Sequence, residues 1–118
     1  MLFRSRLIVP HIGGVLPYLR GRVAAHSGTG HIQGEQSGLR HSVDDYLRKL
    51  YVDTVTGDVP ALRCAYELLG ADHLMWATDH PFANPDEAAG ILEGLGLDDE
   101  EARAIYSGNA RRLLGLDE

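Results

Sequence analysis

Three polar residues stand at or just beyond short apolar runs: His11 after residues 6–9 and Pro10, Asp53 within 50–54, and Asp79 after 73–78. An imidazole titrates near neutral pH, so His11, poised between a strand and the Gly13-Gly14 pair, suits a proton shuttle; the same position also suits a packed loop histidine. Asp79 precedes His80-Pro81-Phe82. At a strand end its carboxylate would project into the crevice above a sheet, where it suits metal ligation or base catalysis. An Asp in that setting is also a good turn former. Asp53 can face the same pocket, although Asp-Thr at a strand end is commonly structural.

These residues need elements to place them. Residues 6–9, Arg-Leu-Ile-Val, read as a short strand buried on both faces. The glycines at 13 and 14 permit unusual backbone angles, and 15–25 follows as a helix with Leu16, Leu19 and Val23 on one face. A short helix over about 43–49 leads into a second strand at 50–54. Asp58 caps the next helix, Pro60 sits in its first turn, and Leu62, Ala65, Tyr66 and Leu69 recur at helical spacing before Gly70 stops it. Residues 73–78 form the third strand. Asn84 then opens a helix with Pro85 first and Glu87 completing a capping pattern, and Asp98 with Glu101 repeats that pattern ahead of 102–106. A last turn or two covers 109–114 before Gly115. Strands separated by helices predict right-handed βαβ units, an α/β fold with a parallel sheet whose chemistry gathers at the carboxyl ends of the strands.

Composition narrows the function. The 118 residues, 44% hydrophobic and 24% charged, are enough for one core. A complete (β/α)8 barrel of roughly 250 residues does not fit. Eleven basic residues against seventeen acidic ones leave a formal charge of −6, and the arginines are dispersed, which argues against nucleic acid as a partner. No apolar run approaches the roughly twenty residues that cross a bilayer, and no signal-peptide core is present, so no membrane partner and a cytoplasmic location are expected. Cys64 is the only cysteine, which leaves no intrachain disulfide or cysteine zinc cage, and it is expected to be a small buried residue. Residues 27–41 read as a long glycine-rich loop. His26, His31 and His41 lie 5 and 10 residues apart, unlike the tight motifs of zinc sites, and are expected to face solvent.

Three blocks then carry a resemblance. They are Val-Pro-His-Ile-Gly-Gly-Val-Leu-Pro-Tyr-Leu at 9–19 with Gly21-Arg22; residues 50–82, ending Trp-Ala-Thr-Asp-His-Pro-Phe; and 98–116, with Gly-Asn-Ala-Arg-Arg-Leu-Leu at 108–114. Together they resemble the amidohydrolase-related, or aminocarboxymuconate-semialdehyde decarboxylase-like, family. The resemblance implies that residues 1–118 form a single partial domain, the C-terminal part of a metal-dependent (β/α)8 TIM barrel. Its three or so parallel strands, with flanking helices, would be the sixth to eighth. It further implies a decarboxylase or hydrolase acting on small carboxylic acids, with zinc or manganese activating water.

Matched motif by motif, Asp79 would be a metal ligand and His11 the acid/base beside the metal. Arg22 would bind substrate, in some members reaching a neighbouring subunit's substrate carboxylate. The family's His-x-His pair on the first strand and its fifth-strand histidine have no counterpart in these residues, so the metal site is incomplete in this chain. A catalytic zinc takes about three protein ligands. A homo-oligomer or a complementary N-terminal barrel fragment would complete it. The alternative is a non-catalytic half-barrel that serves as an interaction or oligomerisation module through its open sheet edges.

Overall fold

The structure, a computed structural model, describes residues 5–27 and 40–116. Three parallel strands form one sheet in the order β1 (Ile8–Val9), β2 (Tyr51–Asp53), β3 (Leu74–Met75). Ile8 pairs with Tyr51 and Val9 with Val52; Val52 pairs in turn with Leu74, and Asp53 with Met75. The described residues also form six α-helices: α1 (Leu16–Ser27), α2 (Val43–Leu47), α3 (Val59–Leu69), α4 (Pro85–Glu93), α5 (Asp99–Arg103) and α6 (Asn109–Leu114). The parallel order follows from the connections, since a chain can re-enter a sheet in the same direction only by crossing over.

Local chemistry sets the helix starts. The Asp58 carboxylate accepts the Ala61 N–H at 2.8 Å, and Asp98 accepts those of Glu100 and Glu101 while Glu101 reaches back to the Asp98 N–H. Ser42 and Asp45 form a further capping box at α2, and the bonds from Ser42 hold the Asp45 carboxyl below its ordinary range. Asn84 accepts the Asp86 N–H at 2.9 Å, but Glu87 does not close the predicted box there.

The core gathers Val52, Leu62, Ala65, Leu74, Leu92, Leu95 and Ile105, so β2, β3, α3 and α4 share one core with Leu95 and Ile105. Burying a side chain the size of Leu or Val contributes about 1.5–3 kcal/mol. Four expectations are corrected here. First, β1 is not buried on both faces: Ile8 and Leu7 are exposed, and among the described residues β2 is its only strand neighbour. Second, the strands are shorter than 50–54 and 73–78, since regular pairing ends at Asp53 and Met75.

Third, Cys64 is exposed. Leu62, Ala65 and Leu68 turn inward on α3, and position 64 stands about 100° round the helix from Ala65, the centre of that stripe, outside the buried face. Fourth, the segment after α5 is no simple helix over 102–106 but a π-helical turn, Ala104–Gly108, running straight into α6. There the Asn109 N–H bonds Ala104 O, which leaves the Ile105 carbonyl to accept the Trp76 N–H at 2.9 Å. The predicted loop falls largely on 28–39, outside the described residues; Ser27 closes α1.

Candidate functional site at the carboxyl ends of the strands

Parallel strands open their carboxyl ends on one side. Neighbouring strands lie about 4.8 Å apart, so the ends of β1 and β3 stand about 10 Å from one another with β2 between them. Beyond β1, the tight turn His11–Gly13 carries His11 and Ile12 at φ 54° and 53°. The left-handed region is costly for a β-branched residue such as Ile12. Gly13, at φ 79°, packs so closely on β2 that a Cβ there would stand 3.1 Å from Val52 Cγ1.

Asp53 secures this turn from the middle strand. Its Oδ1 accepts the Ile12 N–H at 3.2 Å and the Val55 N–H at 3.1 Å. The next residue, Thr54, is buried and works toward β3: its hydroxyl donates to Ala77 O at 3.3 Å and accepts the Ala77 N–H at 3.2 Å. Asp79 follows at φ 62°, its carbonyl accepting the Phe82 N–H at 2.8 Å. The turn reading of Asp79 is therefore realised by its backbone, while its carboxylate stays exposed. Neither that carboxylate nor the exposed His11 ring is hydrogen-bonded to any described residue. Both side chains are therefore open to a ligand.

Arg22 lies exposed on α1, about 9 Å along the axis from its first residue, and no hydrogen bond or ion pair among the described residues joins it to His11 or Asp79. His26 donates to the Arg22 carbonyl at 2.8 Å. His26 and His41 are exposed as expected, the latter edge-on to Tyr46, and His31 lies outside the described residues. His73, at the amino end of the sheet, donates through Nδ1 to Leu50 O at 2.8 Å and stacks on Tyr51. A cleft of about 260 Å³ lined by Ser5, Leu7, Tyr46, Leu47, Lys49 and Leu50 also lies toward the amino ends, away from His11 and Asp79.

Among the described residues no three His, Cys, Asp or Glu side chains are grouped to hold a metal ion. Asp79 offers one carboxylate where a catalytic divalent ion takes about three protein ligands, so these residues alone do not fit the ion. None of the described helices is long and apolar enough to cross a membrane.

Three parallel strands with flanking helices, carrying a histidine beyond the first and an aspartate beyond the third, make up part of a (β/α) barrel. The sequence profile of the Amidohydrolase family matches residues 2–116, and the chain belongs to that family. It is similar to gamma-resorcylate decarboxylase from Polaromonas sp. strain JS666, 29% identical over 114 residues that cover 95% of this chain and 35% of the relative. The crystal structure of IDCase from Metarhizium anisopliae superposes with a TM-score of 0.78 at 35% identity, covering 96% of this chain and 34% of that one. A dihydroxybenzoic acid decarboxylase from Polaromonas sp. JS666, with bound manganese and the inhibitor 2-nitroresorcinol, gives 0.78 at 27% identity over 96% and 34%. The chain thus spans about a third of the length of the relatives it matches.

Proposed function

We propose that this chain forms the C-terminal part of a metal-dependent decarboxylase or hydrolase of small carboxylic acids, with loss of CO2 from an aromatic acid as the favoured reaction. The observation that carries the reading is the pairing of an open His11 and an open Asp79 at the carboxyl ends of β1 and β3, in a chain similar to aromatic-acid decarboxylases. His11 acts as the acid: its imidazolium delivers a proton to the ring carbon that bears the carboxylate. The bond to the carboxylate then breaks, its electron pair returns to the ring, and CO2 leaves.

Asp79 supplies one ligand of a divalent ion, zinc or manganese, with the others coming from outside the described residues. Arg22 pairs with a substrate carboxylate in a neighbouring subunit, which suits its exposure on α1. Completion comes from a homo-oligomer or a complementary N-terminal barrel fragment, in the cytoplasm, and the acidic charge of −6 disfavours nucleic acid. The rival reading, a non-catalytic interaction module, draws on the missing ligand group and the exposed Leu7 and Ile8.

The test is elemental analysis of the purified protein beside its elution volume on a sizing column, for wild type and Asp79→Ala. Release of CO2 from gamma-resorcylate with Mn²⁺ is followed in parallel for wild type and His11→Asn. The proposal expects an assembly holding a divalent ion that Asp79→Ala loses, and CO2 release that His11→Asn abolishes. An assembly with neither ion nor CO2 release establishes the module instead.

A further inference from the structure

We infer that Asp53 and Thr54, consecutive residues at the end of the middle strand, are a positioning pair that sets His11 and Asp79 relative to one another, Asp53 acting on the first and Thr54 on the second. The inference rests on the proposed roles of those two residues and assigns neither Asp53 nor Thr54 a contact with substrate. Backbone pairing between β1 and β2 ends at Val9 with Val52, and between β2 and β3 at Asp53 with Met75. Beyond those points no strand pairing ties the flanking chains to β2. Side chains of β2 take over the linkage there, one toward each neighbour.

On the β1 side, a single carboxylate oxygen collects the N–H of Ile12, 41 positions away in sequence, and that of Val55 two residues on. A charged acceptor binds an amide about twice as strongly as a neutral one. That strength matters because His11 and Ile12 both sit in the left-handed region, which they would leave unless held there. On the β3 side, the hydroxyl of the buried Thr54 makes both bonds to Ala77, two residues before Asp79. A misplacement of about 1 Å between reacting groups can cost a hundredfold in rate, so control of this spacing is control of the chemistry.

The experiment is NMR on the labelled chain, in which a strong intraresidue HN–Hα NOE reports positive φ at His11, Ile12 and Asp79. Asp53→Ala is expected to weaken that NOE at His11 and Ile12 and to speed amide exchange of Ile12 and Val55 by about tenfold, leaving Ala77 and Asp79 unchanged. Thr54→Val is expected to do the reverse. Asp53→Asn, which keeps an acceptor oxygen without its charge, and Thr54→Ser, which keeps the hydroxyl, should preserve the positive φ. They decide the matter, through the smaller rise in exchange at Ile12 expected of the Asn variant, if either harsher variant does not fold. Equal responses on both sides to each variant, or none on either, overturn the pair.

In any assembly that releases CO2, Asp53→Ala should lower kcat about tenfold with KM within twofold, and Asp53→Asn should recover part of it. Loss of activity in His11→Asn without any NMR response to Asp53→Ala sinks the positioning pair alone. The expected NMR responses with an unaffected His11→Asn rate sink the acid role of His11 and leave the geometry of the pair standing.

Discussion

Leu74 on β3 is 0% exposed, whereas Ile8 on β1 is 46% exposed, although both are large aliphatic residues in the same three-stranded sheet. The difference lies in what stands on each strand's second side. β3 has β2 on one flank and the α5–α6 segment on the other, where Ile105 O accepts the Trp76 N–H. The buried Asn109 side chain donates to both Ala71 O and Leu74 O there, at 2.7 and 2.6 Å. Among the described residues β1 pairs with β2 alone, and α1 leaves Tyr18 at 80% exposure. Strand burial in this molecule is thus decided by the neighbour, not by the hydrophobicity of the strand itself.

That contrast can be broken from its closed side. Leu74→Ala should lose about 2–5 kcal/mol in a urea titration, because the surrounding core can collapse only partly into the cavity. Asn109→Ala should follow at about 2–3 kcal/mol, since it leaves the Leu74 carbonyl without its Asn109 partner and the Ala71 carbonyl with only the Leu74 N–H. A smaller effect is expected where α3 meets α5. The Tyr66 hydroxyl donates to Glu101 at 2.6 Å, and that bond raises the phenol above its ordinary value of 10.0. A raised folded value means the contribution is fully present below about pH 10 and is lost as pH climbs through the raised value. Tyr66→Phe should therefore cost about 1 kcal/mol at pH 7 and flatten the alkaline fall in the urea midpoint.

The smallest change belongs to the open side: Ile8→Ala should stay within about 0.5 kcal/mol. A loss above about 1 kcal/mol, in a sample that also elutes as an oligomer, would mean that β1 is covered in solution, and the contrast would then belong to the isolated chain only.

The amino-acid sequence by itself determined the starts of α3 and α5, because Asp58 and Asp98 act on amides two or three residues away. It also determined the parallel order and the placing of His11, Asp53 and Asp79 beyond or at the ends of their strands, since an apolar run stopped by Gly, Pro or Asp is a short-range pattern. The motif blocks around His11 and Asp79 led to the family for the same reason.

Only the tertiary structure decided that Cys64 faces outward, that β1 is an open edge, and that a π-helical turn hands the Ile105 carbonyl to Trp76. It alone decided between the two readings of Asp53, whose bond to Ile12 spans 41 positions, and drew in Thr54, whose bonds to Ala77 span 23. Such links depend on which strand comes to lie beside which, and neither partner's own neighbourhood in the chain encodes the other. A cap carries its partner within one turn of helix, whereas a positioning residue finds its partner only when the sheet has formed.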